Sequence, residues 1–431
     1  MRRNIYEKLI RWKESTKRKP LIVDGARQVG KTWIITEFGK NEFDNLLYIN
    51  CDKTVEMKTI FRDFDTSRLI RAFSALANEP VVPGKTLIVL DEIQEAPYGI
   101  TALKYFCEDA PDYHIVAAGS LLGVGLHGGT GFPVGKVDEL RMFPMDFKEF
   151  LQASGNEALV ELLESHSWRE VSDLAPKFED LLRQYYYVGG MPEAVSAYFE
   201  AGDLREVRSI QNRILRDYES DFSKHVPSGQ LAKVKLVWGS VPAQLAKENK
   251  KFVYGAVKKG ARAKDFEDAI VWLQEAGLVH KVPRVSKIEK PLKFYEDMGA
   301  FKLFACDLGL LGAMADVTAR EVIAGINCFS EYKGAFTEQY IAQELIAAGE
   351  SPRYFSKDNS TLEIDFIVQK DELYPIEVKA EENLRSKSLR TVHEGNPRLI
   401  PCRFSMSGFR EQDWLTNVPL YAAQAWIKAA E

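Results

Sequence analysis

The sequence predicts an α/β protein that begins with a doubly wound parallel sheet. Apolar, strand-like runs alternate with helical patterns over residues 1–155, and this alternation is typical of parallel strands with helices on both faces. A glycine-rich loop follows the first apolar run, and two adjacent carboxylates end the third. Ligands of such sheets bind at the carboxyl ends of the strands, so both features are expected at one edge.

The elements of this first segment can be assigned in order. An opening helix should bury Ile5, Leu9 and Trp12, which recur at helical spacing. A glycine-rich stretch, residues 123–135, predicts an irregular loop, and a short strand is expected near residues 140–142. The apolar runs that predict the main strands are residues 21–23, 46–49, 87–90 and 114–118.

The loop after the first strand reads Gly25-Ala-Arg-Gln-Val-Gly-Lys-Thr32 and fits the Walker A pattern G-x-x-x-x-G-K-[ST]. The glycines let backbone N–H groups and the positive end of the next helix face phosphates. We expect Lys31 to reach the outer phosphates of ATP and the Thr32 hydroxyl to bind Mg²⁺. A glycine-rich turn without nucleotide is the alternative. The residues expected to bind the nucleotide are Gly25, Ala26, Arg27, Gln28, Val29, Gly30, Lys31, Thr32, Trp33 and Ser120.

A second motif, Thr86-Leu-Ile-Val-Leu-Asp-Glu92, suits a strand that is buried on both faces and ends in a Walker B carboxylate. Asp91 would hold Mg²⁺ through water, and Glu92 would orient and deprotonate an attacking water. The catalytic residues predicted for ATP hydrolysis are therefore Lys31, Asp91 and Glu92, with Thr32 and Asp91 at the metal. An accidental Asp-Glu pair is the alternative.

Three further residues are expected near this edge. Ser120 either senses the γ-phosphate or the attacking water, or caps the next helix. Lys136 and Arg141 are candidates to contact phosphate from the same or a neighbouring subunit. Contact from a neighbour would require a homo-oligomer, which the sequence leaves open.

Composition excludes several classes of protein. The chain has 431 residues and a net charge of −5, so contact with nucleic acid would need a local basic patch. The five cysteines are dispersed without a C-x-x-C pair, which argues against a zinc ribbon or a disulfide framework. The N-terminal residues lack the apolar segment of a signal peptide, and no stretch approaches the length of a membrane span. We therefore expect a cytoplasmic protein.

The middle of the chain predicts two segments after the ATPase core of residues 1–155. Residues 156–225 look helical and are expected to form a lid over the nucleotide. Residues 226–292 resemble a winged helix, with Phe266, Ile270 and Leu273 at helical spacing and a strand from about residue 276. DNA and a protein partner are both open as its ligand. Its basic residues, opposed chiefly by Glu248, are Lys233, Lys235, Lys247, Lys250, Lys251, Lys258, Lys259, Arg262 and Lys264.

The last segment, residues 293–431, contains a candidate second site. Two alternating strands, residues 362–368 and 375–379, should bring Asp365, Glu377 and Lys379 together on one face. This D…(D/E)-x-K arrangement is that of restriction-endonuclease-like folds, in which carboxylates hold Mg²⁺ beside a phosphate. Glu338 lies upstream on the apolar face of a helix and needs a partner there, which a shared metal would supply. An exposed hairpin with solvated charges is the alternative.

Taken over nearly its whole length, the chain resembles prokaryotic AAA-type ATPases whose C-terminal domain of unknown function has a restriction-endonuclease-like core. The family's Arg-Gln pair matches Arg27 and Gln28. Many members carry Gly-Arg where this chain has Gly135-Lys136, and a lysine there would make a weaker contact with phosphate. The motifs behind the resemblance are the phosphate loop, Leu90-Asp-Glu-Ile-Gln94, Gly119-Ser120, Pro144-Met-Asp-Phe-Lys-Glu-Phe150, Gly189-Gly-Met-Pro192, Asp307-Leu-Gly-Leu310, Gly334-Ala-Phe-Thr-Glu338, Glu363-Ile-Asp-Phe366 and Ile376-Glu-Val-Lys379.

These observations leave three hypotheses about function. The first is an Mg²⁺-dependent ATP-hydrolysing switch that moves the winged-helix and C-terminal segments. The second is an ATP-regulated nuclease that uses Asp365, Glu377 and Lys379. The third is a non-enzymatic, nucleotide-gated module that binds DNA or a protein.

Overall fold

The computed structural model describes residues 2–120, 122, 131–247, 250–323, 330–358, 360–380 and 386–430. The chain divides into two compact units, Met1–Phe143 with Glu275–Gly277, and Pro144–Gln274 with Leu278–Glu431. The predicted boundaries at residues 155, 225 and 292 all fall inside the second of these units. Residues 123–130 of the predicted glycine-rich loop, and Glu248, lie outside the described residues.

A five-stranded parallel sheet forms the centre of the first unit, in the order β2-β3-β4-β1-β5. The predicted α/β class and doubly wound sheet are confirmed. The three central strands are apolar and buried, as expected when helices cover both faces. The strands are β1 (Leu21–Asp24), β2 (Asn45–Asn50), β3 (Thr86–Asp91), β4 (His114–Ala118) and β5 (Asp138–Arg141).

Helices of the first unit bury apolar stripes against this sheet. The opening helix buries Ile5, Leu9 and Trp12, as its spacing predicts. Phe73 and Phe106, from two different helices, stack at 6.2 Å between ring centroids within one core cluster. The helices are α1 (Ile5–Glu14), α2 (Lys31–Glu42), α3 (Thr66–Ala77) and α4 (Gly99–Asp109).

The second unit combines a helical part with a second sheet. Residues 156–225 are helical as predicted, and Phe266, Ile270 and Leu273 are buried on one helix. The helices are α5 (Phe147–Ala153), α6 (Glu157–Glu164), α7 (Trp168–Asp173), α8 (Ala175–Val188), α9 (Pro192–Ala201), α10 (Leu204–His225), α11 (Leu231–Leu245), α12 (Tyr254–Val257), α13 (Ala263–Glu275), α14 (Leu308–Met314), α15 (Ala319–Ile323), α16 (Ser330–Ala347), α17 (Lys387–Gly395) and α18 (Ala423–Ala429).

The sheet of the second unit has eight strands in the order β12-β13-β11-β10-β9-β8-β6-β7. The strand predicted to begin a wing is β6, which pairs antiparallel with β7 and parallel with β8. The predicted boundary at residue 292 therefore separates two hydrogen-bonded strands of one sheet. The strands are β6 (Val279–Val285), β7 (Glu296–Ala305), β8 (Arg353–Ser356), β9 (Glu363–Gln369), β10 (Leu373–Val378), β11 (Cys402–Ser405), β12 (Arg410–Glu411) and β13 (Thr416–Pro419).

Two sequence motifs of the second unit meet at a buried aspartate. Asp307 caps α14 by accepting from Leu310 N at 2.9 Å, and it also accepts from Gly190 N at 2.6 Å. A Cβ on Gly189, which has a φ of 72°, would lie 2.4 Å from Asp307 Oδ2, so the turn before α9 requires glycine. Burial raises the pKa of Asp307 to about 6, against the lowering effect of these backbone N–H groups.

Replacement of Asp307 by alanine tests this junction. Asp307→Ala leaves two buried N–H groups without their acceptor, so we expect it to lower the free energy of unfolding by about 2–4 kcal/mol. Asp203→Ala is the matched control, because Asp203 caps α10 in the same way through Arg205 N but is exposed at a helix end. It should lose only about 1 kcal/mol. Equal losses in urea unfolding would contradict the account.

Candidate functional site

The register of the first sheet places the predicted nucleotide-binding residues at one edge. Val23 of β1 and Asp91 of β3 both lie opposite Ala118 of β4, and all three strands run in the same direction. The phosphate loop (residues 25–32) follows β1, Ser120 follows β4, and the Asp-Glu pair lies at the end of β3. The sheet therefore brings together the residues that the sequence predicts as an ATP site.

The shape of the phosphate loop is fixed by a close backbone approach and a buried arginine. Gly25 has a φ of 144°, and a Cβ there would lie 2.1 Å from the carbonyl oxygen of Met142, so no other residue fits. Arg3, which is 6% exposed, donates to the carbonyl of Val29 at 2.8 Å and to that of Phe143 at 2.7 Å. Sequence reasoning missed Arg3, because nothing near the N-terminus indicates that it reaches the loop.

Lys31 is folded back onto the loop that precedes it. Its Nζ donates to the carbonyls of Gly25 and Ala26 at 2.8 Å each and lies 3.4 Å from Ser120 Oγ. Burial lowers the pKa of Lys31 to about 8, although the carboxylates of Glu92, Asp24 and Asp91 act to raise it. The ammonium is thus held by neutral carbonyls, which a phosphate can replace.

Thr32 and Asp91 converge on one point beside Lys31. The Thr32 hydroxyl donates to Asp91 Oδ2 at 2.9 Å, and the Tyr48 hydroxyl donates to the same oxygen at 2.7 Å. Burial, with the bond to Asp91, raises the pKa of Tyr48 to about 12, so the phenol stays a donor. Sequence reasoning missed Tyr48; its position near the carboxyl end of β2 was the available signal.

Hydroxyl and carboxylate oxygens are the ligands that Mg²⁺ prefers, and protein sites commonly supply only one or two of them beside substrate phosphates. The Thr32 hydroxyl and the Asp91 carboxylate therefore fit the metal that the phosphate loop implies.

Glu92 lies next to this pair with both carboxylate oxygens engaged. Ser120 Oγ donates to Oε1 at 3.2 Å, and the Gln94 amide donates to Oε2. Glu92 has a left-handed backbone with φ 52°, which turns its side chain at the end of β3. Ser120 thus bridges Lys31 and Glu92, and its role as a sensor of the γ-phosphate stays a prediction. The alternative of a helix cap involves residues outside the described part of the chain.

Of the other residues predicted at this edge of the sheet, some lie there and one does not. Gln28 has a φ of 65°, and Trp33 is 47% exposed on the first turn of α2. Arg141 lies at the carboxyl end of β5, with Nε 4.0 Å from Asp24 Oδ2. Lys136 precedes β5 and forms an ion pair with Glu108 at 2.8 Å, so it lies toward the opposite edge of this parallel sheet. The prediction that Lys136 contacts phosphate bound to its own subunit is therefore wrong.

The second predicted site, in the C-terminal sheet, is organised around a lysine that the sequence did not indicate. Lys302 of β7 is fully buried, and its Nζ lies 3.2 Å from Glu338 Oε2 and 2.7 Å from Glu363 Oε1. Lys250 Nζ lies 2.6 Å from Glu338 Oε1. Although burial alone would raise the pKa of Glu338, the two ammonium groups hold it below its usual range. Lys250 is thus part of this cluster and not of a basic face.

The predicted carboxylates of the two alternating strands are adjacent. Asp365 of β9 accepts from Val378 N at 2.8 Å, and burial beside Glu338 raises its pKa to about 7. Glu377 of β10 pairs with Lys379 at 2.9 Å, and its Oε2 is buried without a hydrogen-bond partner among the described residues.

The residues of the second site do not fit a shared Mg²⁺. Both oxygens of Glu338 are taken by ammonium groups, and the partner that this helix carboxylate needs is Lys302 with Lys250 instead of a metal. Of the other two carboxylates, Asp365 already accepts from Val378 N through Oδ2 and Glu377 already pairs with Lys379 through Oε1, so few carboxylate oxygens remain for a metal. In the described ranges, no three His, Cys, Asp or Glu side chains form a group that could hold a metal ion.

Comparison with protein-family models assigns the first part of the chain. Residues 17–151 match the model described as an AAA domain, so the chain contains an AAA-type P-loop domain. Residues 179–321 and 333–420 match models described as domains of unknown function, DUF8612 and DUF4143. The resemblance to AAA-type ATPases is confirmed for this domain, and the matches leave the winged-helix and restriction-endonuclease-like segments as predictions. No curated protein matches the chain.

Several solved structures are similar at low identity. The Walker-type ATPase PABY2304 of Pyrococcus abyssi is 14% identical, with a TM-score of 0.43 and coverage of 72% of this chain and 95% of that chain. The Aeropyrum pernix ORC1 protein in complex with DNA is 16% identical, with a TM-score of 0.27 and coverage of 74% and 92%. The Thermotoga maritima RuvB Holliday junction branch migration motor is 14% identical, with a TM-score of 0.28 and coverage of 65% and 89%. Values this low assign neither ligand nor activity.

Within the described residues, no helix is both long enough and apolar enough to cross a lipid bilayer.

The pKa of Lys31 gives the nucleotide site a testable pH dependence. A lysine whose pKa lies at about 8 is charged below that pH and loses its proton above it. Since phosphate binding uses the ammonium, the Kd for ATP should rise by up to about tenfold per pH unit above pH 8. Isothermal titration calorimetry with ATP, at several pH values on both sides of pH 8, measures this Kd.

Lys31→Arg is the control for that profile, because a guanidinium stays charged throughout the range. Its Kd for ATP should be independent of pH in the same window. A flat profile for the wild type, or the same slope in both proteins, would contradict the assignment of Lys31.

Proposed function

We propose that this protein is an Mg²⁺-dependent ATPase of the AAA type that acts as a nucleotide-controlled switch. The observation that supports it best is the convergence of five side chains at the carboxyl edge of the first sheet. Lys31 and Glu92 share a contact with Ser120, and the Thr32 hydroxyl bonds to Asp91. These residue types, in this order along the chain, are those of ATP-hydrolysing P-loop proteins.

ATP would bind by exchange of contacts that the loop already makes. The outer phosphates replace the carbonyls of Gly25 and Ala26 as partners of Lys31 Nζ, so an ion pair takes the place of two neutral hydrogen bonds. The backbone N–H groups at the start of α2 face the phosphates and add the positive end of the helix. Arg3 keeps the loop in position through the Val29 carbonyl.

Thr32 and Asp91 would hold Mg²⁺, which neutralises charge on the phosphates when bound. Tyr48 fixes the Asp91 carboxylate by donating to Oδ2, the same oxygen that Thr32 contacts. The metal ligands are therefore oriented before the nucleotide arrives.

Glu92 would take the proton of the attacking water. Before nucleotide binding its oxygens accept from Ser120 and Gln94, so the base is restrained by two neutral donors. A γ-phosphate that draws Ser120 and Lys31 toward itself would free Oε1 for the water. The geometry thus links occupancy of the phosphate site to release of the base.

The switch also requires that the second unit responds to nucleotide. We propose that the second unit consists of a helical lid, a winged-helix segment and a restriction-endonuclease-like segment. Three helices, α11, α12 and α13, followed by the antiparallel pair of β6 and β7, are the order of a winged helix. The last residue of α13, Glu275, and the two residues that follow it belong to the first unit. That chain segment offers a covalent route between the nucleotide domain and the winged-helix segment.

A nuclease activity has weaker support than the ATPase. Asp365 and Glu377 lie on adjacent strands, as a restriction-endonuclease-like core requires, but Lys302 and Lys250 occupy the neighbouring carboxylate. We therefore propose the nuclease-like fold without the metal-dependent cleavage.

Hydrolysis by Glu92 can be tested with a neutral, isosteric substitution. Glu92→Gln should lower kcat for ATP at least about 100-fold, because it removes the general base. Its Kd for ATP should stay close to that of the wild type. The matched control is Glu95→Gln, in the same turn but paired with Lys58 at 3.7 Å, which should keep full activity. Phosphate release by purified protein measures both.

Two outcomes would count against this proposal. A wild-type protein that binds ATP but releases no phosphate would leave a binding module only. An unchanged rate in Glu92→Gln would move the base to another residue.

The basic surface of the winged-helix segment provides a second test, of its ligand. Four exposed cations of this segment are suited to phosphate contacts. Their joint replacement by glutamine should weaken DNA binding and reduce the slope of log Kd against log salt by up to about 0.9 for each lost contact. The residues to replace are Lys258, Lys259, Arg262 and Lys264.

The control for DNA binding removes the same charge from exposed positions of the first unit. Fluorescence anisotropy with duplex DNA at several salt concentrations should show little change in this variant. If both variants bind equally well, the segment is better explained as a surface that docks a protein. The control residues are Arg11, Lys40, Lys53 and Lys85.

A further inference from the structure

We infer that the carboxylates of the C-terminal sheet form a cation site that the protein fills with its own lysines, and that this site binds no divalent metal in the native chain. The lysine–carboxylate cluster consists of Lys250, Lys302, Glu338, Glu363 and Asp365. This inference is independent of ATP hydrolysis, because all of its residues belong to the second unit.

Lys302 occupies the centre of the cluster. Its ammonium contacts carboxylates from two different elements, Glu338 of α16 and Glu363 of β9. The same Nζ lies 5.0 Å from the ring centroid of Tyr354 on β8, so an aromatic face covers another side of the charge. A single ammonium thereby joins β7, β8, β9 and α16.

Lys250 closes the cluster from a different part of the chain. The segment that contains it is fixed against β7, since Phe252 N donates to the carbonyl of Phe301 at 2.8 Å. The rings of Phe252 and Phe301 also stack, with centroids 5.2 Å apart. Because these contacts hold the segment in place, the ammonium of Lys250 stays on Glu338 Oε1. Each oxygen of Glu338 therefore has its own cation.

The charges of the cluster leave little attraction for a further cation. The two ammonium groups balance two of the three carboxylates, and burial beside Glu338 raises the pKa of the third, Asp365, which lowers its negative charge at neutral pH. A divalent ion entering here would meet two fixed positive charges within a few ångström in a poorly solvated region. Since Lys302 is 0% exposed, it cannot move into water to make room.

Mn²⁺ is a suitable probe, because it takes the carboxylate and water ligands of Mg²⁺ and its free form is counted by electron paramagnetic resonance. Binding is measured on the full chain without nucleotide. Wild type, Asp365→Asn and Glu377→Gln should bind the same number of Mn²⁺ ions per chain. Ions bound elsewhere on the protein contribute equally to all three numbers and do not affect the comparison. A site present in the wild type and lost in either variant would overturn the inference.

The complementary experiment measures Mn²⁺ binding after the central ammonium, that of Lys302, has been removed. Lys302→Met should gain one Mn²⁺ site per chain, and the site should disappear in the double variant Lys302→Met/Asp365→Asn. Lys302→Arg keeps the positive charge and should gain none. A folded Lys302→Met that gains no site would also overturn the inference. If Lys302→Met fails to fold by circular dichroism, the comparison of the wild type with Asp365→Asn and Glu377→Gln still decides the question.

Discussion

The parallel pairing of β1, β3 and β4 is the constraint on which the nucleotide site depends. Because these strands run in one direction and are hydrogen-bonded neighbours, the residues that follow them must meet at one edge. The phosphate loop, the Asp-Glu pair and Ser120 are far apart in sequence and close in space for this reason alone. Local geometry then adds precision, through the contact of Gly25 with Met142 and the hydrogen bond from Arg3 to Val29.

The two buried lysines show how different partners give the same residue different roles. Lys31 is held by two neutral carbonyls, and burial lowers its pKa, so its charge is poorly satisfied until an anion arrives. Lys302 is held by carboxylates, and these raise its pKa despite complete burial. The first lysine is therefore ready to exchange partners with a ligand. The second is already neutralised and fixes four elements of the second unit in place.

Patterns along the chain predicted what depends on local spacing and strand direction. The four main strands of the first sheet agree with the prediction to within about one residue, because apolar runs bounded by turn residues are a strong signal. The short strand expected near residues 140–142 begins two residues earlier, at Asp138. The motif residues of the ATP site meet as expected, since the rule for parallel sheets needs no side-chain detail. The prediction for Lys136 is wrong because nearness to a strand in sequence does not determine which edge of the sheet a residue reaches. The parallel pairing of β5 with β1 sends it the other way.

Residues whose role depends on distant packing could not be predicted. Tyr48 reaches Asp91 only through the pairing of β2 with β3. Arg3 lies just before α1, 26 residues from Val29 in sequence, and contacts the phosphate loop only in the folded chain. Lys302 carried no sequence signal, because a single lysine in an apolar strand does not indicate which carboxylates it will meet. For that reason a metal seemed necessary to neutralise Glu338, when two lysines already do so.

Single-turnover hydrolysis of ATP in the presence of Mg²⁺, by wild type beside Asp91→Asn and Glu377→Ala, tests the central claim most directly. The account predicts that Asp91→Asn abolishes phosphate release while Glu377→Ala retains the wild-type rate. Hydrolysis that survives Asp91→Asn, or that depends on Glu377, would contradict the assignment of catalysis to the edge of the first sheet.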